Sequence, residues 1–160
     1  MYEVNGTGTV GSYVHRGSQI GVLLEVHAPE PVTRKDEFKT LVHDVAMQVA
    51  AANPQCVGRQ DVSPELLGKE RDIQRERARG EGKPEKMLDK IVEGRLTKFY
   101  EEICLLDQPF IRENTISVGE LIKTAGGKLG GDVSVARFVR FKVGDAGDAP
   151  GVQETPQVNA

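Results

Sequence analysis

Gly6-Thr7-Gly8-Thr9-Val10-Gly11 spells G-x-G-x-x-G letter for letter. That spacing holds a dinucleotide only between a strand and a helix, whose N-terminus receives the pyrophosphate. Here the residues that follow, to His27, pattern as a β-hairpin, and no helical period starts before Thr33. The glycines therefore read as a flexible lead-in. Gly126-Gly127-Lys128-Leu129-Gly130-Gly131 has glycines and a lysine but not the G-x-x-x-x-G-K-[ST] order of a phosphate cradle. It reads as helix-to-strand punctuation. His15, His27 and His43 fall on a turn, a strand end and a helix, with only Glu25 and Asp44 nearby as co-ligands. No metal spacing results. Cys56 and Cys104 belong to no C-x-x-C or Cys/His cluster and read as reduced thiols. Glu101 and Glu102 are adjacent, so they face different sides of a helix and cannot share an acid–base site. No serine or cysteine stands in a nucleophile motif. The expectation is a protein that is not an enzyme, with no catalytic residue, metal or cofactor of its own.

The elements that carry these residues follow from pattern. Strands read over Val10–Val14 and Ile20–Val26, joined by the turn signal His15-Arg16-Gly17-Ser18. Pro29 and Pro31 stop the sheet, since neither can donate to a ladder. Phe38, Leu41, Val42, Val45, Ala46 and Val49 recur at spacings of three and four, one helical stripe ended by Asn53-Pro54. Thr33 is its expected N-cap. Ser63 caps a polar helix, about Pro64 to Ala78, expected on the surface or projecting outwards. After Gly80-Glu81-Gly82 and Pro84, a second stripe runs through Met87, Leu88, Ile91, Val92, Leu96, Phe99, Tyr100 and Ile103. Leu105 to Thr115 reads as a loop. A short helix, about Val118 to Ala125, is capped by Ser117. A last strand lies within Val133–Val143. The fold class is α+β, a small antiparallel sheet covered by helices. Residues 1–10 are the lead-in, 11–143 the core domain and 144–160 a disordered tail by composition.

Composition closes several classes. The 160 residues are 38% hydrophobic and 28% charged, a globular balance. Absence of tryptophan and few aromatics leave the core mainly to Val, Leu, Ile and Ala. A formal charge of −3 is a poor footprint for a nucleic-acid partner. No apolar run approaches the roughly 20 residues of a spanning helix, and Met1–Gly6 carries no signal-peptide pattern, so a cytoplasmic location without membrane contact is expected.

Longer stretches carry a resemblance. They are Ser12-Tyr13-Val14-His15 with Ile20 to Val26, Asp36-Glu37-Phe38, and His43 through Pro54. The same holds for Gly82 to Lys86, Lys90 to Leu96, Lys98 to Leu106, Gln108-Pro109-Phe110-Ile111, and Val135 to Phe141. Over about Gly11 to Val143 the chain resembles bacterial translation elongation factor Ts, the nucleotide-exchange factor for elongation factor Tu. The resemblance implies binding to GDP-bound elongation factor Tu, promotion of GDP release and, from a core often described as a dimerisation domain, self-association.

Two departures shape the expected site. Family members usually begin with a small ubiquitin-associated-like three-helix domain, and here almost nothing precedes the core hairpin. The family also places a Thr-Asp-Phe-Val stretch after the strand, whose Asp and Phe are directed at the partner's nucleotide and magnesium site. This sequence has His27-Ala28-Pro29-Glu30-Pro31-Val32-Thr33-Arg34, one residue shorter, without that pair. Pro29, Glu30, Pro31 and Val32 are thus the expected, degenerate, partner-binding loop. His15, Gly21 and Arg34 are further partner-contact residues that the resemblance implies. Glu30 can replace the charge, but no aromatic replaces the wedge, and losing one central interface aromatic costs about 2 kcal/mol or more. Weakened exchange is expected. The rival expectation is a paralogue or interaction module that binds elongation factor Tu without exchanging its nucleotide.

Overall fold

Apolar residues at every second position suit a strand with one covered face, and β2 (Ile20–His27) buries Val22, Leu24 and Val26 in this way. In the computed structural model, which describes residues 8–144 apart from Arg16 and Ser18, β2 is the middle of a three-stranded antiparallel sheet. β1 (Gly8–Val14) lines one edge, with Gly11 opposite Leu24, and β5 (Ser134–Lys142) the other, with Phe138 opposite Leu24. The hairpin begins at Gly8, ahead of the expected Gly11, so Gly8, Thr9 and Val10 are strand residues rather than lead-in. The rest of that lead-in, with Gly6 and Thr7, and the expected tail beyond Gly144 lie outside the described residues. Gly17 takes φ of 77° in the turn, a conformation that favours glycine.

After β2 the chain makes one helical turn, α1 (Glu30–Thr33), then the long helix α2 (Asp36–Ala52). The α2 stripe is buried as its period requires, from Phe38 to Val49. Thr33 does not cap it. The N-cap position is Lys35, which supplies no side-chain bond, and the Thr33 hydroxyl instead donates to the Glu30 carbonyl at 2.8 Å. Asn53, left-handed at φ 46°, ends the helix. Gly11 lies so close beneath α2 that a Cβ there would overlap Val42 Cγ1. The glycine that looks like part of a nucleotide motif is a packing residue.

α3 (Pro64–Gly80) starts where Ser63 Oγ accepts from Leu66 N–H at 3.1 Å. A 3-10 turn, Glu85–Met87, then leads into α4 (Leu88–Ile103). The two helices form a hairpin with Ala78, Leu88, Val92 and Leu96 buried along its length. Ala78 is the one buried residue of α3, as a projecting polar helix requires. Arg71–Glu93, Arg75–Asp89 and Arg95–Glu81 pair across the two segments at 2.5–2.6 Å.

The expected loop from Leu105 to Thr115 contains a second, two-stranded sheet, β3 (Pro109–Phe110) with β4 (Glu113–Ser117). Ser117 and Glu120 then form a capping box at the start of α5 (Val118–Leu129). This helix passes the expected end at Ala125 and runs through Gly126 and Gly127, stopping at the left-handed Gly130. Packing accounts for the glycine at 126, since a Cβ there would sit 2.9 Å from the Gly131 carbonyl oxygen. One face of the main sheet, with α2, α5 and the β3 segment, encloses the core of Leu24, Phe38, Val45, Val49, Leu105 and Val118. The architecture is α+β, as expected.

Candidate functional site

The segment expected to touch a partner is a closed turn rather than an extended loop. Proline fixes φ near the helical value and lacks only an N–H that a first turn leaves unpaired anyway. Pro29 and Pro31 therefore start α1 instead of merely ending the strand, and Val32 N–H donates to the Pro29 carbonyl at 2.9 Å. Val32 points inwards and is 2% exposed, within the main core. Pro29, Glu30 and Pro31 are exposed. Arg34 is exposed as well and pairs with the Glu30 carboxylate one turn earlier. The turn is seated on the end of α5. Gly131 fits against Pro29 and Val32 so closely that a Cβ would lie 2.8 Å from Pro29 Cγ, and Lys35 Nζ donates to the Leu129 carbonyl at 2.9 Å.

His15 and Gly21 stand elsewhere. Gly21 lies opposite Val14 at the turn end of the hairpin, and His15 follows Val14. His15 is exposed, with Nδ1 2.8 Å from the Tyr13 hydroxyl. Gly21 and Pro29 are at opposite ends of β2, roughly 25 Å apart at the rise of a strand. The expected residues thus divide into two groups, Glu30 with Arg34 and His15 with Gly21.

Between the two groups lies the sheet face turned away from α2. By alternation it presents Val10, Val14, Leu23, Val139 and Phe141, with Val143 just beyond. Val10, Val14, Phe141 and Val143 are each half or more exposed. Near its α1 end, Glu25 Oε1 is 2.7 Å from His27 Nε2, and Arg137 Nε donates to Glu25 Oε2 at 2.6 Å. The His27 hydrogen bond, aided by Arg137 and opposed by burial, holds the Glu25 carboxyl below the usual carboxylate range. His43 packs edge-on against Tyr13. Among the described residues, no three His, Cys, Asp or Glu side chains converge where a metal ion could be held.

Sequence reasoning missed two further arrangements. Gln48 is wholly buried and joins α2 to the β3 segment. Its Nε2 donates to Gln108 Oε1 and to the Pro109 carbonyl, each at 3.2 Å, and its Oε1 accepts from Ile111 N–H at 2.9 Å. Gln108 Nε2 donates in turn to the Glu102 carbonyl at 2.9 Å. Two glutamines so far apart in the chain give no local signal. Cys56 and Cys104, apart in sequence, meet at the base of the α3–α4 hairpin with their sulfurs 3.5 Å apart.

A small antiparallel sheet covered by helices, with a helical hairpin beside it, defines the class of protein as α+β. Comparison with known proteins narrows this class. The family model for elongation factor Ts matches residues 1–145. An elongation factor Ts from Solibacter usitatus is 56% identical over 150 residues, covering 93% of this chain and 71% of that protein. One from Koribacter versatilis is 52% identical over 153 residues, 95% of this chain and 70% of the relative. One from Moorella thermoacetica is 49% identical over 144 residues, 89% and 71% respectively. The chain belongs to the elongation factor Ts family.

Proposed function

We propose that this chain binds GDP-bound elongation factor Tu and promotes GDP release, with an efficiency lowered by the composition of the α1 turn. Family membership across almost the whole chain carries the reading. An exchange factor accelerates release only if it binds the empty partner more tightly than the nucleotide-loaded one, since binding shifts an equilibrium by its differential affinity alone. Pro29, Glu30 and Pro31, with Arg34, are the proposed contact on one side of that difference, and His15 with Gly21 a second contact. Val32 acts from beneath, as the buried peg that sets the turn. Glu30 supplies a carboxylate already engaged by Arg34. No aromatic side chain projects from the turn, so the differential term is small.

The test is release of a fluorescent GDP from elongation factor Tu, timed with and without micromolar protein. Faster release supports the reading, and release at the spontaneous rate removes it. Because Ala28 and Val32 are buried, the informative gain-of-function variant changes only the exposed pair, Glu30→Asp with Pro31→Phe. The second reading is a binder that does not exchange. Its motivating observation is that closed, aromatic-free turn, and it predicts co-elution with elongation factor Tu on gel filtration beside an unchanged release rate. The apolar outer sheet face is where self-association would be expected, and sedimentation of the isolated chain tests it.

A further inference from the structure

Cys56 and Cys104, 48 positions apart in sequence, are set side by side by the fold. They form an isolated parallel β-bridge. Backbone bonds frame it, from Gln55 N–H to the Ile103 carbonyl at 2.8 Å and from Leu105 N–H to the Cys56 carbonyl at 2.9 Å. Neighbouring strands run about 4.8 Å apart, inside the roughly 4.4–6.8 Å between Cα atoms that a disulfide spans. The sulfurs are 3.5 Å apart and both thiols are free. Closing to the S–S bond length of about 2.05 Å asks for rotation of the two side chains, on a strand spacing that already falls inside the disulfide range. From this juxtaposition we propose that Cys56 and Cys104 form an oxidation site, a reversible intramolecular disulfide that locks the base of the α3–α4 hairpin.

The co-reactant is a small diffusible disulfide, RSSR. Cys56, partly exposed, is the entry point, and Cys104 is wholly buried. The Cys56 thiol loses its proton to solvent, and the thiolate attacks one sulfur of RSSR. Cys56–S–S–R forms and RS⁻ leaves, taking up a proton as RSH. Cys104 then loses its proton and attacks the Cys56 sulfur, forming the protein S–S bond and expelling the second RS⁻. Two protein thiols are oxidised and one RSSR is reduced to two RSH. Burial raises both thiols, Cys104 to about 12, so the reaction is slow at neutral pH and quickens with alkali as the thiolate fraction grows. The site is independent of whether the chain binds elongation factor Tu.

The experiment incubates the full folded chain with hydroxyethyl disulfide at mildly alkaline pH, quenches with acid and reads the intact mass. The expected product has lost two hydrogens, migrates as a monomer without reductant, and regains its mass with dithiothreitol. Non-reducing digestion yields one linked pair of peptides containing Cys56 and Cys104, a readout that needs no variant. Cys104→Ser stops at a mixed disulfide on Cys56, and Cys56→Ser in the folded state stays unmodified. Three results overturn the proposal. They are a wild-type chain that stops at the mixed disulfide, one that cross-links between molecules, and one that stays unchanged while the same reagent modifies it in denaturant.

Discussion

Replacing Gln48 by leucine removes a polar bridge from the middle of the core without changing the volume much, and its cost can be worked through atom by atom. The carboxamide serves Gln108 Oε1, the Pro109 carbonyl and the Ile111 N–H. Gln108 is 3% exposed, so its oxygen loses its partner with no water to replace it, a loss of about 1–3 kcal/mol. Pro109 and Ile111 are at the surface, where their backbone groups rehydrate and lose only about 0.5 kcal/mol each. The sum is about 3 kcal/mol. With a urea slope of about 2 kcal/mol/M, the unfolding midpoint falls by ~1.5 M. Gln108→Leu in the same background makes the test sharper. Once both polar partners are gone the orphaned oxygen disappears, so the double variant recovers at least ~1 kcal/mol relative to the sum of the singles. A midpoint shift below ~0.3 M for Gln48→Leu, or strict additivity in the double variant, refutes the account.

Acid should weaken the fold through Glu25. Its folded carboxyl titrates below the unfolded value of about 4.3. The stability it contributes is therefore present above that pH and lost as pH falls through the folded value. Glu25→Gln should flatten the acid limb of a urea-midpoint profile, and an unchanged limb would show that other carboxylates dominate. The two neighbouring glycines of α5 should respond with opposite signs. Gly126→Ala meets the Gly131 carbonyl and destabilises by about 1–3 kcal/mol, while Gly127→Ala has open space and stabilises by up to ~1 kcal/mol. Equal melting shifts would contradict this. Ser117→Ala removes the cap of α5 and should cost about 1 kcal/mol in thermal unfolding, with Glu120 left in place.

What could be read from the sequence was whatever a short window determines. The α2 stripe, the caps at Ser63 and Ser117 and the helix stop at Asn53-Pro54 are local rules that the tertiary structure leaves standing. What could not be read depended on distant neighbours. Gly126 and Gly127 look like a break, yet α5 runs through both, and residue 126 is glycine because Gly131 packs against it. β3 has only two residues, too few for a period of two to register. Thr33 has the right chemistry for an N-cap, but it lies within α1, where its hydroxyl donates to the Glu30 carbonyl. At the candidate site, the segment Pro29 to Val32 was locatable through family resemblance. Its closure into a helical turn uses Pro29 and Pro31, which the sequence suggested only as a stop to the strand, and the burial of Val32 against Gly131 is a contact between distant segments. The cysteine pair and the Gln48 bridge are contacts between segments that no spacing rule connects.

The base of the helical hairpin has an architectural consequence. Residues 55–57 leave the body and 103–106 return to it side by side, tied by backbone bonds such as Leu106 N–H to the Val57 carbonyl at 3.0 Å. Exit and entry are thus a single closed doorway, and what lies beyond it is an insertion with its own apolar seam. Whole turns added to or removed from both arms would alter the reach of the hairpin while leaving every contact of the body intact. Length here is a variable that evolution or a protein engineer can set independently of the fold.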